Sequence, residues 1–233
     1  MHYLCCVQNY PRILFISATP AEMSCIQPIA ELAIGFHQAV KGEHVAALIT
    51  GVGITATAYQ MGRILAAHPF DLAVNIGLAG SFSKSLPPES VVEVVREEFG
   101  DLGAEDHDQF IDIFGLGLQE RNSFPFKDGF LFPLESGVNI MNISKVKGST
   151  VHTVHGSEKS ISAFTERSDA EVESMEGAAF FYACNQAGIP SLQIRAISNF
   201  VEPRNRETWK VKEALKALQQ FLEKNWLQIT TSY

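Results

Sequence analysis

The sequence predicts an α/β fold: one domain with a three-layer, mostly parallel central sheet flanked by helices. Three observations predict it. Short apolar runs of strand length alternate with stretches of helical composition, Gly or Pro breaks join them, and the chain closes on an amphipathic segment of helical period. A chain of 233 residues suits a single domain over 1–233, which at this size buries roughly 70 to 75% of its unfolded surface. Residues 1–10 read as a peripheral N-terminal extension.

The elements follow in order. Ile13 to Ser17 is an apolar strand, followed by Pro20 and a helix-like stretch from Glu22 to about Phe36. Val45 to Thr50 is a second buried-type strand; it breaks at Gly51-Val52-Gly53, and Ala56 to Ala67 has helical composition. Leu72 to Ile76 is a third, ending at Gly77-Leu78-Ala79-Gly80, and Val91 to Val95 a fourth. From Phe99 to Pro133 the chain mixes Gly, Pro and acids with Phe99, Phe110, Phe114, Phe124, Phe126, Phe130 and Phe132. A disordered linker carries few aromatics, so this stretch is expected to be ordered and to line a pocket or a subunit interface. Thr150 to Val154 reads as a strand, Ser157 to Phe164 as a short helix, and Met175 to Ala187 as a helix stopped by Gly188-Ile189-Pro190. Leu192 to Ile197 is the last strand. Trp209 to Trp226 places Val211, Ala214, Leu215, Leu218, Phe221 and Leu222 on one helical face and packs on the sheet.

Composition excludes several classes of partner. Lys and Arg number 18 against 26 Asp and Glu, a formal charge of −8, which repels nucleic-acid phosphates and anionic membranes. Cys5, Cys6, Cys25 and Cys184 show no C-x-x-C spacing and read as reduced thiols of a cytoplasmic protein. No run approaches 18 apolar residues, and the N-terminus lacks a basic segment followed by a long apolar one, so neither a membrane span nor export is expected.

Several motifs fail on inspection. Gly51-Val52-Gly53-Ile54-Thr55-Ala56 follows a strand and fits G-x-G-x-x-A, but the acid about 20 residues on, Asp71, precedes the next strand and belongs to the wrong sheet edge. The turn reads instead as a tight strand-to-helix connection whose amides approach a small ligand. His152 and His155, placed on a strand, point to opposite faces and hold no metal, and Asp106-His107-Asp108 reads as a solvated acidic loop. No metal or cofactor is expected.

One constellation survives. Glu22 lies just past the first strand, Glu176 begins a helix after a loop, and Asn199 ends the last strand, all where an α/β sheet binds ligands. Each carboxylate also has a plain structural reading, as a stabiliser of a helix macrodipole. Together they suit a nucleoside: a carboxylate holds ribose hydroxyls while a carboxamide reads a purine edge.

Ala18-Thr19-Pro20-Ala21-Glu22, Gly51-Val52-Gly53, Asn75-Ile76-Gly77-Leu78-Ala79-Gly80, Ser174-Met175-Glu176-Gly177-Ala178-Ala179 and Arg195-Ala196-Ile197-Ser198-Asn199 resemble, in order, the motifs of the nucleoside phosphorylase and nucleosidase superfamily. Within it, the Ser198-Asn199 ending and the Arg204 to Trp209 stretch resemble the futalosine hydrolase family. Methylthioadenosine/S-adenosylhomocysteine nucleosidase and purine nucleoside phosphorylase are the alternatives, and a nucleoside-binding protein without chemistry is a fourth reading. The resemblance implies a nucleoside phosphorylase/hydrolase-like fold, a homodimer or larger homo-oligomer, and hydrolysis of an N-glycosidic bond. It implies that Glu22 activates water, that Glu176 accepts from the ribose hydroxyls with Met175 under the sugar, and that Arg195 orients the water or Glu176. Gly80 and Ser198 line the same site. Asn199 stands where adenosine-type members carry Asp; its amide donates toward N7 or O6 and its carbonyl accepts from a protonated N7, a pattern suited to a 6-oxopurine. The carboxyphenyl group of futalosine would need an aromatic, cationic pocket, for which the Phe-rich stretch and Arg204 or Arg206 are candidates.

Overall fold

A computed structural model describes residues 12–27, 40–41 and 45–231. The expected N-terminal extension, Cys5, Cys6 and most of the stretch expected to be helical up to Phe36 lie outside the described residues. The strands are β1 (Ile13–Ser17), β2 (Val40–Lys41), β3 (Val45–Ile49), β4 (Leu72–Ser81), β5 (Val91–Phe99), β6 (Gly103–Asp106), β7 (Gln109–Asp112), β8 (Ser144–Thr150), β9 (Val172–Ser174) and β10 (Ser191–Phe200). The helices are α1 (Pro20–Met23), α2 (Ile54–Ala67), α3 (Glu158–Thr165), α4 (Gly177–Ala187) and α5 (Val211–Thr231).

Eight of these strands form one sheet in the order β10-β5-β8-β9-β4-β1-β3-β2, while β6 and β7 pair as a separate hairpin. The sheet is mixed rather than mostly parallel. β1 pairs in parallel with β3 and β4, and β10 with β4, but β10 runs antiparallel to β5, β9 to β4 and β2 to β3. The mixture within β4 to β10 is compatible with closure. β10 bonds to both β4 and β5, so β4, β9, β8, β5 and β10 complete a ring. Five strands can return to their starting direction around a ring only through an even number of antiparallel steps, here β4–β9 and β5–β10. Closure also removes two open edges from the sheet.

Strand alternation divides the core. Phe15, Val74, Ile76 and Ile194 face Ala214, Leu218 and Leu222 of α5, and Trp226 stacks on Phe15 at 5.1 Å. Leu14, Ile16 and Leu48 face Met61 of α2 and Phe180, Phe181 and Cys184 of α4. Ala79, Val92, Val94, Val146, Val172 and Ile197, drawn from all five ring strands, form a third cluster.

Three boundaries depart from the sequence reading. β4 continues through Gly77 and Gly80 instead of breaking there, because these glycines provide clearance for neighbouring side chains rather than a turn. The strand expected over Thr150 to Val154 lies earlier, at Ser144–Thr150, where it pairs in parallel with β5. His152 and His155 therefore sit beyond the strand. The helix expected from Met175 starts at Gly177, and the αL conformation of Gly188 (φ 68°) ends it as read.

Candidate active site

The site is assembled where β1, β3, β4 and β10 end. Glu22 is the third residue of the four-residue helix α1, and with the N-cap Thr19 it forms a reciprocal capping box. The Glu22 Oε2 accepts from the Thr19 amide at 2.9 Å and its hydroxyl at 2.7 Å, while Oε1 accepts from the Leu78 amide at 3.0 Å. Three donors from two elements thus hold one carboxylate, and Oε1, with a single donor, keeps acceptor capacity.

Arg195 of β10 is fully buried at 0% exposure. A Cβ added at Gly77 would overlap Arg195 Nη1 and lie 2.7 Å from Glu22 Oε1, so the bare glycine is what lets guanidinium and carboxylate share that space. Arg195 Nη2 is 4.0 Å from Glu176 Oε2. Its three guanidinium nitrogens make no hydrogen bond within the described protein, an arrangement found where a ligand or water is to be held.

Glu176 is the N-cap residue of α4, yet its carboxylate does not cap the helix. Its Oε1 accepts from the Gly53 amide at 2.9 Å. Gly51 and Gly53 both have positive φ, 87° and 94°, a conformation glycine adopts without strain. The expected amide-lined turn therefore receives a protein carboxylate. Burial raises the Glu176 carboxyl above its ordinary value, against the pull of Arg195 and the Gly53 N–H toward the charged form. Antiparallel β9 explains how Glu176 arrives: with Glu173 opposite Gly80, β9 carries the chain back along β4 toward Gly77. Met175, half-buried, occupies the joint between β9 and α4.

Asn199 pairs with Gly80 just after a register irregularity in β10. Its Nδ2 donates to the Phe200 carbonyl at 2.8 Å, and its Oδ1 accepts from the Ser198 hydroxyl at 2.7 Å. These partners orient the amide and leave one N–H and one lone pair free. A Cβ at Gly80 would lie 3.4 Å from Asn199 Nδ2 and 2.9 Å from Val201 Cγ2, so Gly80 keeps space beside the amide.

The structure thus gathers Glu22, Arg195 and Glu176 around Gly77, and Ser198 and Asn199 around Gly80. Arg204 and Arg206 are both exposed; the Arg204 guanidinium lies 5.0 Å from the Trp209 ring and its amide donates to the Gly156 carbonyl at 3.0 Å. In the Phe-rich segment, Phe126 packs against Phe99, Phe114 and Tyr182. Asp71 accepts from the Arg12 amide at 2.7 Å, before β4 begins, as the sequence placed it. Among the described residues no cluster of His, Cys, Asp and Glu could hold a metal ion; His152 faces Asp101, and His155 binds Glu173 through both ring and amide.

Sequence reasoning missed Thr19, whose Thr-x-x-Glu spacing is a legible capping-box signal. It also missed a buried trio behind the site. Glu97 Oε1 accepts from Gln193 Nε2 at 2.7 Å and its Oε2 from the Thr150 hydroxyl at 2.9 Å. Burial pushes the Glu97 carboxyl up to about 7, although Gln193, Thr150 and Arg195 favour its charged form. No local signal marks Glu97, since Glu93, Arg96, Glu97 and Glu98 read alike as charges on an exposed strand face.

The chain's sequence and fold have counterparts in known proteins. Residues 11–225 match the profile of the Phosphorylase superfamily. The chain belongs to that superfamily. It is 31% identical over 210 residues to futalosine hydrolase of Thermus thermophilus, covering 88% of this chain and 91% of that one. Among solved structures it resembles the 5′-methylthioadenosine/S-adenosylhomocysteine nucleosidase of Neisseria meningitidis in complex with methylthio-immucillin-A, with a TM-score of 0.77, 16% identity and coverage of 96% and 100%. Futalosine hydrolase of Helicobacter pylori superimposes with a TM-score of 0.73 at 15% identity, covering 92% and 96%. At such identities the structural likenesses establish the fold, and the superfamily's mixed sheet is the one observed here.

Proposed function

We propose that this chain hydrolyses the N-glycosidic bond of futalosine, releasing hypoxanthine and dehypoxanthine futalosine, a step of menaquinone biosynthesis. The observation that carries the reading is the convergence of Glu22, Arg195 and Glu176 around Gly77 with Asn199 beside Gly80, one set for the sugar and one for the base. The full-length likeness to the Thermus thermophilus hydrolase supports the choice of substrate.

Breaking the bond passes through an oxocarbenium-like ribosyl cation, so a site must hold water on one face and stabilise the departing base. Glu22 takes the proton of the attacking water, with Arg195 donating to that water or to Glu176. Glu176 accepts from the 2′ and 3′ hydroxyls through charge-assisted bonds, which are stronger than neutral ones, and Met175 packs beneath the sugar. As the C1′–N9 bond opens, its electron pair moves onto the purine. Asn199 donates its free N–H toward O6, and its carbonyl accepts from N7 as that nitrogen takes a proton from solvent. A 6-aminopurine would set amino N–H against N–H at the first position, which costs several kcal/mol for unpaired polar groups.

Mass spectrometry of base release from futalosine, inosine and methylthioadenosine in phosphate-free buffer tests the reading. Hypoxanthine from futalosine is expected. Adenine from methylthioadenosine with futalosine intact overturns the substrate, and turnover only after phosphate is added makes the chain a phosphorylase. No cofactor takes part. We read the chain as one cytoplasmic domain that works as a homo-oligomer, joined across the groove of about 530 Å³ that Ile54, Ala58, Leu65, Phe99, Ala179 and Tyr182 line.

A further inference from the structure

The N-terminus of α4 raises a question that the site residues leave open. An N-cap side chain normally accepts from the first amides of its own helix. Glu176 holds that position and does not do so; its carboxylate is turned outward to Gly53 and Arg195. The amides are satisfied from elsewhere. The Gly177 amide donates to the Ser174 hydroxyl at 3.4 Å, and the Ala178 amide donates to Thr150 Oγ1 at 2.7 Å. Having accepted from the helix, Thr150 donates its hydroxyl hydrogen bond to Glu97 Oε2 at 2.9 Å.

Glu97 sits in a slot made for it. A Cβ at Gly177 would overlap its Oε1, and a Cβ at Gly148 would lie 2.8 Å from its Cδ, so two glycines on separate elements leave room for one carboxylate. Gln193, two residues before Arg195 on the same strand and therefore on the same face, donates to that Oε1. Glu97 also attracts Arg195 electrostatically, as does Glu176.

We propose that Glu97 is a positioning residue for the ribose site: through Thr150 it caps α4 in place of Glu176, which leaves the Glu176 carboxylate available for the sugar hydroxyls. The inference rests on the ribose role given to Glu176 above. Without Glu97, Thr150 loses the acceptor that fixes its hydroxyl; without Thr150, the Ala178 amide turns to Glu176 for its acceptor. Both losses fall on the same carboxylate.

The experiment compares wild type, Glu97→Gln and Thr150→Val at pH 8, above the value to which Glu97 is raised. It uses the nucleoside that the wild type cleaves best and the 2′,3′-dideoxy form of that nucleoside. Each variant is expected to raise KM for the ribonucleoside by about tenfold, the equivalent of one weakened bond to a charged acceptor, with kcat changed far less. The penalty should shrink to about twofold or less on the 2′,3′-dideoxy substrate, because neither hydroxyl is left to report on Glu176. Equal penalties on both substrates, or no penalty on either, overturn the proposal. A merely structural role predicts the equal penalty. If Glu97→Gln does not fold, Thr150→Val, which keeps the side-chain shape, carries the comparison alone. A wild type that leaves futalosine intact defeats the functional reading, while the comparison still runs on the nucleoside it does cleave.

Discussion

Glu22 and Asn199 hold the two ends of the proposed chemistry, and each has a substitution that isolates its part. Glu22→Gln keeps the shape but cannot accept a proton, so kcat should fall by about 10² to 10⁴-fold, the range for a lost general base, while calorimetry still detects substrate binding. Retained turnover would remove Glu22 from the mechanism. Asn199→Asp should shift the ratio of hypoxanthine to adenine release toward adenine; an unchanged ratio sinks the base-reading role. Glu97 gives a test through stability. Its folded carboxyl titrates near 7, above the ordinary 4.5, so between those values the folded protein keeps a proton that the unfolded chain has lost. Its contribution is fully present below 4.5 and is lost as pH rises through 7, on the order of 3 kcal/mol for a fully buried group. Urea unfolding at pH 5 and pH 8 should show that Glu97→Gln removes part of this decline.

At the scale of elements, glycines in strands and at a helix start set where the site can form. Gly77 lies within β4, where its missing Cβ gives room to Arg195 and Glu22. Gly77→Ala should therefore abolish most activity, by at least about 10²-fold, the order expected when catalytic groups move by an ångström. Circular dichroism should show the fold retained, since strand β4 accepts alanine elsewhere at Ala73 and Ala79. Wild-type activity in this variant would show that the crowding at Gly77 is relieved without moving the site. The sequence announced these glycines but gave them the wrong meaning: Gly-rich segments after apolar runs resemble turns, and only the side chains arriving from β10 and α1 reveal them as clearances. The capping box of α1 was legible locally, because its partners lie three residues apart. The Glu97 relay was not, because Thr150, Ala178 and Gln193 lie 53, 81 and 96 positions away from it in the chain.

For the whole molecule, the groove between α2 and α4 is the face where a second copy is expected. Ala58 and Leu65 of α2 and Ala179 and Ala183 of α4 line it, with Tyr182 at 38% exposure. Light scattering coupled to gel filtration should report a dimer or larger assembly, and Ala58→Glu, which places a charge on an exposed groove position, should reduce it to monomers. A wild-type monomer would dismiss this face. Among the described residues no helix is long and apolar enough to cross a membrane, and the described cysteines, Cys25 and Cys184, are free and buried. Burial raises both thiols, Cys25 to about 11, which leaves it protonated and unreactive at neutral pH.

Taken by itself, the sequence determined the superfamily, the alternation of strands and helices and the residues at the strand ends, because these are written in local periodicity and in contiguous motifs such as Met175-Glu176-Gly177. It did not determine the mixed sheet, the position of β8 or the machinery behind Glu176. Those depend on ring closure: two antiparallel steps turn β9 back along β4, deliver Glu176 to Gly53 and Arg195, and set Glu97 beneath the start of α4. Pairing between strands far apart in the chain carries no local signature, so only the tertiary structure could decide it.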